Sequence, residues 1–384
     1  MRRPAALLLA AALVPAACRA AEPEPGAKRT FRTRSGKTLE VETFVSGLEV
    51  PWSLAFTSPT RLLVTERPGR VRVVTNGRLE AKPLAVVPDI EARGESGLMG
   101  ITLAPDYASS KRVYVAYAYD TPSGPRVRIV RFRDDGGGLS ERTAILEGIP
   151  AAQYHSGCRL RFGPDGKLYA TTGDSTDGRI AQDMHSLGGK TLRLNPDGTI
   201  PSDNPFPGSP IYSLGHRNSQ GLDWDAASGL QFQTEHGPSG FDGPGGGDEV
   251  NIVEAGKNYG WPLVHHRAHR DGMVDPLLEY TPAVAPSGAS FCRCALLPSF
   301  QGDFFFAALR GERLIRVRLD PKDRRKVAET EELFSGGSGY GRLRDVVPGP
   351  DGALYVATSN RDGRGSPRPG DDRILRVVES PPLH

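Results

Sequence analysis

One phrase returns six times along this chain, and no other feature limits the available folds so tightly. Each copy has an apolar, β-branched or aromatic run after a turn, followed by a second strand-like segment rich in basic and β-branched residues. The runs are Leu62 to Glu66, Val113 to Tyr117, Leu168 to Thr172, Leu230 to Thr234, Phe304 to Ala308 and Leu354 to Thr358. Their partners are Val71 to Val74, Val127 to Phe132, Thr191 to Leu194, Glu249 to Val253, Leu314 to Leu319 and Ile374 to Val378. Turns such as APDY at Ala104 and GPDG at Gly163 and Gly349 precede most of the runs. In them Pro pre-sets φ, Asp bonds back to the backbone and Gly supplies φ > 0. Successive runs begin 51, 55, 62, 74 and 50 residues apart. A period of about fifty residues with several short strands is the mark of a propeller blade. Six copies therefore predict an all-β, six-bladed β-propeller, with the wider spacings as loop insertions on one face. A β-sandwich with coincidental spacing is the competing arrangement. Solenoids are disfavoured because amphipathic helical stretches are missing. Gly (46) and Pro (33) together make up about a fifth of the 384 residues, which suits a turn-rich β chain better than a helical one.

The ends and the charge set further limits. Arg2 and Arg3 precede an apolar run from Ala5 to Val14, too short to span a bilayer but suited to a signal-peptide core. Small residues at Ala16, Ala17, Ala20 and Ala21 place cleavage near Ala21. Val14 to Cys18 also resembles a lipoprotein processing site, which makes a lipid anchor on Cys18 the alternative. The expected organisation is a signal peptide at 1–21, a flexible segment at 22–35 and one propeller domain at 36–384. Such a domain is exported, periplasmic or secreted, and meets a membrane only through that anchor. Net charge is +3 with no Lys/Arg block, which excludes nucleic acid as a partner. Beyond Cys18 the cysteines are Cys158, Cys292 and Cys294, an odd number that gives no disulfide framework. Cys292 and Cys294 are too close in sequence for an unstrained bridge. No Cys/His spacing matches a zinc site.

Blade sheets radiate from an axis, so loops at one end share a pocket. The loops richest in chemistry are Glu91 to Gly100, His155 to Arg159, Gly215 to Leu222, Glu235 to Pro262 and Tyr340 to Asp345. His155 stands among small residues just before a strand–turn–strand unit, the way a rigid β scaffold displays a base. Several of these residues also have a plainer explanation. Arg342 and Arg344 alternate with period two and fit the solvent face of a strand. Glu235, Asp242, Asp248 and Glu249 fit a solvated acidic loop. His265, His266 and His269 look like a metal cluster but lack a second ligand set, so a solvated loop is expected there. Tyr169, Trp224 and Trp261 are expected to pack blades.

Six phrases in order resemble one family, the soluble PQQ-dependent sugar dehydrogenases of the glucose/sorbosone or aldose sugar type. They are GLEVPWSLAF at Gly47, GLMGITLAPDY at Gly97, HSGCRLRFGPDGKLY at His155, GHRNSQGL at Gly215, GGGDEVNIVEAGKNYGWP at Gly245 and TSNRDGRG at Thr358. The resemblance runs from about Val45 to Val378 and implies a six-bladed propeller, in agreement with the repeat count. It implies oxidation of aldoses to lactones with PQQ and Ca²⁺ as cofactors, electrons passing to an acceptor that stays open. By position, His155 matches the general base, and Glu95, Arg217 and Asn218 match residues beside the quinone. Arg342 and Arg344 match the pair that grips the cofactor's carboxylates, and Arg310 falls where a Lys is usual. Gly237 and Pro238 match the carbonyls that hold calcium, while Glu249 and the Tyr259 backbone resemble a second, structural calcium site. A monomer and a homodimer fit equally.

Three departures accompany the resemblance. Glu95 replaces a Gln, and its carboxylate would favour an imidazolium at His155. Tyr154 stands where an Asp often precedes the histidine, and Cys158 replaces a Gly beside it. The competing functions are a non-catalytic carbohydrate- or partner-binding propeller that has lost its cofactor, and a calcium-dependent propeller lactonase.

Overall fold

The structure, a computed structural model, describes residues 28–335 and 339–381. The signal peptide at 1–21 and the lipidation site at Cys18 lie outside the described residues. Six antiparallel sheets of four or five strands follow one another around an axis. All six apolar runs are the second strand of a blade, at Arg61–Glu66, Arg112–Tyr119, Leu168–Thr171, Gln231–Glu235, Phe304–Ala308 and Leu354–Thr358. Their partners are the third strands, from Arg70–Thr75 in the first blade to Arg373–Glu379 in the sixth. The two competing architectures are thereby excluded.

Second strands are buried along nearly their whole length because each is covered on both faces by neighbouring blades, and most of their residues are apolar. Between the fourth and fifth blades, Phe232 packs against Phe291 and Phe304 with ring centroids 5.1 and 5.4 Å apart. Between the second and third, Cys158 lies in a cluster with Leu160, Leu168 and Tyr114. The thiol thus faces packed side chains, and burial pushes its pKa up to about 12. Cys292 and Cys294 are also free and buried, between the fifth and sixth blades.

The first, innermost strands are Pro51–Ser58, Leu98–Leu103, Leu160–Phe162, Ser219–Trp224, Pro286–Phe291 and Leu343–Pro348. They approach one another so closely around the axis that side chains are excluded at some positions. A Cβ on Gly288 would lie 2.0 Å from Asp345 Oδ1, and one on Gly100 2.5 Å from the Cys158 carbonyl. Arg159 crosses the channel midway along it. From the third blade its guanidinium reaches Ser53 Oγ (2.6 Å) in the first, the Gln220 carbonyl (2.8 Å) in the fourth and Asp345 (3.2 Å) in the sixth. It also lies over the Trp52 ring, 4.4 Å from the centroid. Both members of the ion pair are fully buried.

The ring closes on a strand from the other end of the chain. Thr38–Ser46 pairs with Arg373–Glu379, placing Val41 opposite Val377, and Arg29–Arg32 adds an outer strand to the same sheet. Blade structure therefore starts at Arg29, inside the stretch expected to be a lead-in at 22–35. Among the described residues no helix is long and apolar enough to cross a membrane.

Candidate active site

The loops that enter the innermost strands converge on one mouth of the channel. There they enclose a cavity of about 780 Å³. Of the residues singled out in the sequence, Glu95, His155, Arg217, Gly237, Pro238, Arg310, Arg342 and Arg344 line it together. Six arginines face three carboxylates in its lining, so the cavity is built for an anion.

His155 is 4% exposed and sits at φ 57°, a left-handed conformation uncommon for a residue with a side chain. Its Nδ1 lies 2.7 Å from Asp174 Oδ1. The other Asp174 oxygen accepts a hydrogen bond from Trp261 Nε1 at 2.7 Å. With Nδ1 donating to the carboxylate, Nε2 becomes the basic nitrogen. Phe241, 63% exposed, stacks near the imidazole at 5.8 Å. Asp174 and Trp261 are positioning residues that sequence reasoning missed. Asp174 ends the same phrase as His155, but Trp261 lies 87 residues further on. Trp261 was expected only to pack blades, whereas its indole N–H also fixes a carboxylate.

Glu95 meets the histidine through its backbone. Its carboxylate accepts the His155 backbone N–H at 3.3 Å and pairs with Arg364 at 3.1 Å. Arg364 in turn lies over Tyr154, 5.2 Å from the ring centroid. Two of the departures thus belong to one small rim network with a neutralising cation.

Arg217 is held by the loop that follows the fourth blade's second strand. It donates to Asp242 (2.7 Å), Ser239 Oγ (3.0 Å) and the His236 carbonyl (3.3 Å). Asn218 is not part of the cavity lining. It lies behind the wall, where its Oδ1 accepts the Gly157 N–H at 3.2 Å and braces the histidine loop.

Arg342 and Arg344 are buried, not the solvent face of a strand. Arg342 donates to Asp362 at 2.8 Å, and Arg344 to Gln220 Oε1 at 2.9 Å. Burial alone would raise the Asp362 pKa, but the two guanidiniums outweigh it and hold the carboxyl below its ordinary range. Burial lowers the Arg344 pKa to about 10. Its Nε is buried without a partner among the described residues, as is His236 Nε2. Burial, and then Arg217, pushes the His236 pKa well down and keeps that imidazole neutral. Arg310 stands exposed on the rim.

The expected acidic loop is not a solvated one. Gly237 and Pro238 form the wall between the large cavity and a small one that Glu235, Glu249 and Tyr259 also line. Glu235 and Glu249 are directly opposite in the strand register. Burial and then Glu235 raise the Glu249 pKa well above its usual value. Two facing carboxylates of this kind are costly without a cation or a shared proton. Of the histidines at 265–269, His269 is exposed and pairs with Asp275, whereas His265 and His266 are half-buried, touch each other at 3.0 Å and are not solvated as expected, His265 lining the small cavity. Among the described residues, the one cluster with metal-ligand spacing is His155, Asp174 and Asp242.

Fold and cavity together define a six-bladed propeller whose channel mouth carries an oriented histidine and an excess of arginines. The glucose/sorbosone dehydrogenase family model matches residues 48–375, and the chain belongs to that family. It is 33% identical over 350 residues to the aldose sugar dehydrogenase YliI of Escherichia coli, covering 85% of this chain and 91% of that protein. It is 27% identical to quinoprotein glucose dehydrogenase B of Acinetobacter calcoaceticus, covering 91% of each. The PQQ-bound aldose sugar dehydrogenase of Streptomyces coelicolor superposes with a TM-score of 0.78 at 38% identity, covering 94% of this chain and all of that one.

Proposed function

We propose that the protein is an exported, PQQ- and calcium-dependent aldose dehydrogenase that oxidises C1 of an aldose to the lactone, with His155 as general base. The observation that carries this reading is the imidazole clamped by Asp174 in a cavity with six arginines. The residues present fit the cofactor. Arg342 and Arg344 would hold its carboxylates, a task suited to planar guanidiniums, and the unsatisfied Arg344 Nε and His236 Nε2 await an acceptor or donor. The carbonyls of Gly237 and Pro238 suit calcium, a hard cation that takes oxygen ligands. Glu249 and the Tyr259 backbone would serve the second, structural ion, which relieves the repulsion between Glu235 and Glu249. When bound, PQQ would accept the C1 hydride, with calcium polarising the quinone.

The chain's own part is proton transfer and orientation. His155 Nε2 takes the proton of the anomeric hydroxyl, and Asp174 stabilises the imidazolium that results. Trp261 keeps Asp174 in line. Arg217, tied to Asp242 and Ser239, keeps a positive charge at a fixed place where negative charge develops.

Protein supplied with PQQ and Ca²⁺ is expected to reduce an artificial acceptor dye when given aldoses, and to lose that activity on chelation. The absorbance of the added quinone, followed before and after a panel of aldoses, checks this. A spectrum that sugar leaves unchanged would sink the proposal. Asp174→Asn is expected to lower turnover by about two orders of magnitude while cofactor affinity stays the same, because only the base's orientation is lost. Wild-type turnover in that variant would remove Asp174 from the scheme.

A further inference from the structure

The channel has a second mouth. The large cavity gathers residues from the loops that lead into the innermost strands and from the loops that follow the second strands, which lie at the same end of the channel. At their opposite, C-terminal ends lies a separate cavity of about 410 Å³, and all six blades contribute to its lining. Arg159 spans the channel between the two.

The smaller part of this second lining is hydrocarbon, chiefly from Phe56, Leu103, Phe162 and Val347. Its charged side chains are Arg161, Arg293 and Asp223. Arg293 grips Asp223 with two contacts of 2.9 and 3.2 Å, so those charges cancel. Arg161 makes no hydrogen bond or ion pair among the described residues. Its Nε is buried and unsatisfied, and so is Ser290 Oγ in the same lining. Buried polar groups without partners are uncommon in folded proteins, and two in one cavity ask for an occupant. The volume falls within the range of small-molecule sites, roughly 300–1,000 Å³.

We propose that this far cavity binds a small organic carboxylate. Arg161 is its counter-ion, the Ser290 hydroxyl gives it a further hydrogen bond, and the apolar wall covers its hydrocarbon part. A guanidinium fork matches a carboxylate in shape. The net charge of the three ionised side chains is +1, so a monoanion is neutralised, whereas a dianion would leave one buried charge unpaired. The site does not depend on the cofactor or on the redox reaction.

Benzoate titrated into the full chain by calorimetry, beside inorganic phosphate and benzyl alcohol, tests the proposal. Benzoate is expected to bind saturably and more tightly than either comparison compound. Arg161→Gln should weaken it by about tenfold or more, the scale of a lost charged hydrogen bond, and Ser290→Ala by a smaller factor. Because the large cavity is also cationic, the titration is repeated with Arg344→Gln, where the Arg161-dependent component should remain. A crystal soaked with benzoate should place the carboxylate on Arg161, and this measurement stands even where the Gln variant folds poorly. The proposal falls if wild-type protein shows no saturable binding, if Arg161→Gln binds as well as wild type, or if the soaked ligand occupies only the large cavity. Tighter binding of phosphate or benzyl alcohol than of benzoate would equally overturn it.

Discussion

His155→Ala is expected to lower the turnover of cofactor-loaded protein by about two to four orders of magnitude, the range of a positioned general base. Binding of PQQ should change little, because the groups assigned to the cofactor lie on other blades. The imidazole is well prepared for this work. Asp174 fixes its tautomer, Trp261 fixes Asp174, and the backbone at φ 57° directs the ring into the cavity. Steady-state rates with an artificial acceptor, read beside an absorbance titration of the cofactor, separate the two effects. Near-full activity would remove His155 as the base. Loss of cofactor binding alongside activity would mean that the ring holds the quinone instead.

The largest effect on stability is expected at Arg159. Replacing it with Met leaves the buried Asp345 carboxylate without its counter-ion, with Oδ1 unpartnered as before and Oδ2 holding only the Leu54 N–H, a kind of loss that costs about 3–5 kcal/mol. The same change deprives Ser53 and the Gln220 carbonyl of their donor and ends the guanidinium's contact with Trp52. Adding Asp345→Asn should recover part of the loss, since an amide tolerates the site better than an unpaired carboxylate. Urea midpoints with unchanged slopes provide the comparison. A loss below about 1 kcal/mol would show that the pair is replaceable packing. Burial lowers the Arg159 pKa to about 10, which still leaves the side chain charged at neutral pH.

The ring was legible in the sequence because second strands are buried on both sides. Stretches such as Phe304–Ala308 must then be continuously apolar, and turns with Pro, Asp and Gly mark where each begins. The innermost strands carried no such signal. Ser219–Trp224 and Pro286–Phe291 begin with Ser, Gln, Pro and Gly, because they face polar neighbours across a narrow channel. The register of the second strand in the fourth blade was displaced by one residue, since Leu230 ends a turn and Glu235 continues the ladder. The candidate site was legible as phrases, and four of the six contribute to one cavity. What they did not carry was pairing across the ring. Arg159 was visible as a basic residue after His155, but its partner Asp345 lies on the sixth blade, and only closure brings them together. Asn218 adjoins Arg217 in sequence, yet the turn into a strand sends one side chain into the cavity and the other behind it.

That the earliest-made of the described strands, Arg29–Arg32 and Thr38–Ser46, complete the last-made sheet has a temporal meaning. Arg342 and Arg344 belong to this terminal sheet, so the grip proposed for the cofactor would be complete only once both ends have arrived and been clasped. On that proposal, loading of the quinone would wait for the finished molecule. A partly made chain would present only an unlatched ring.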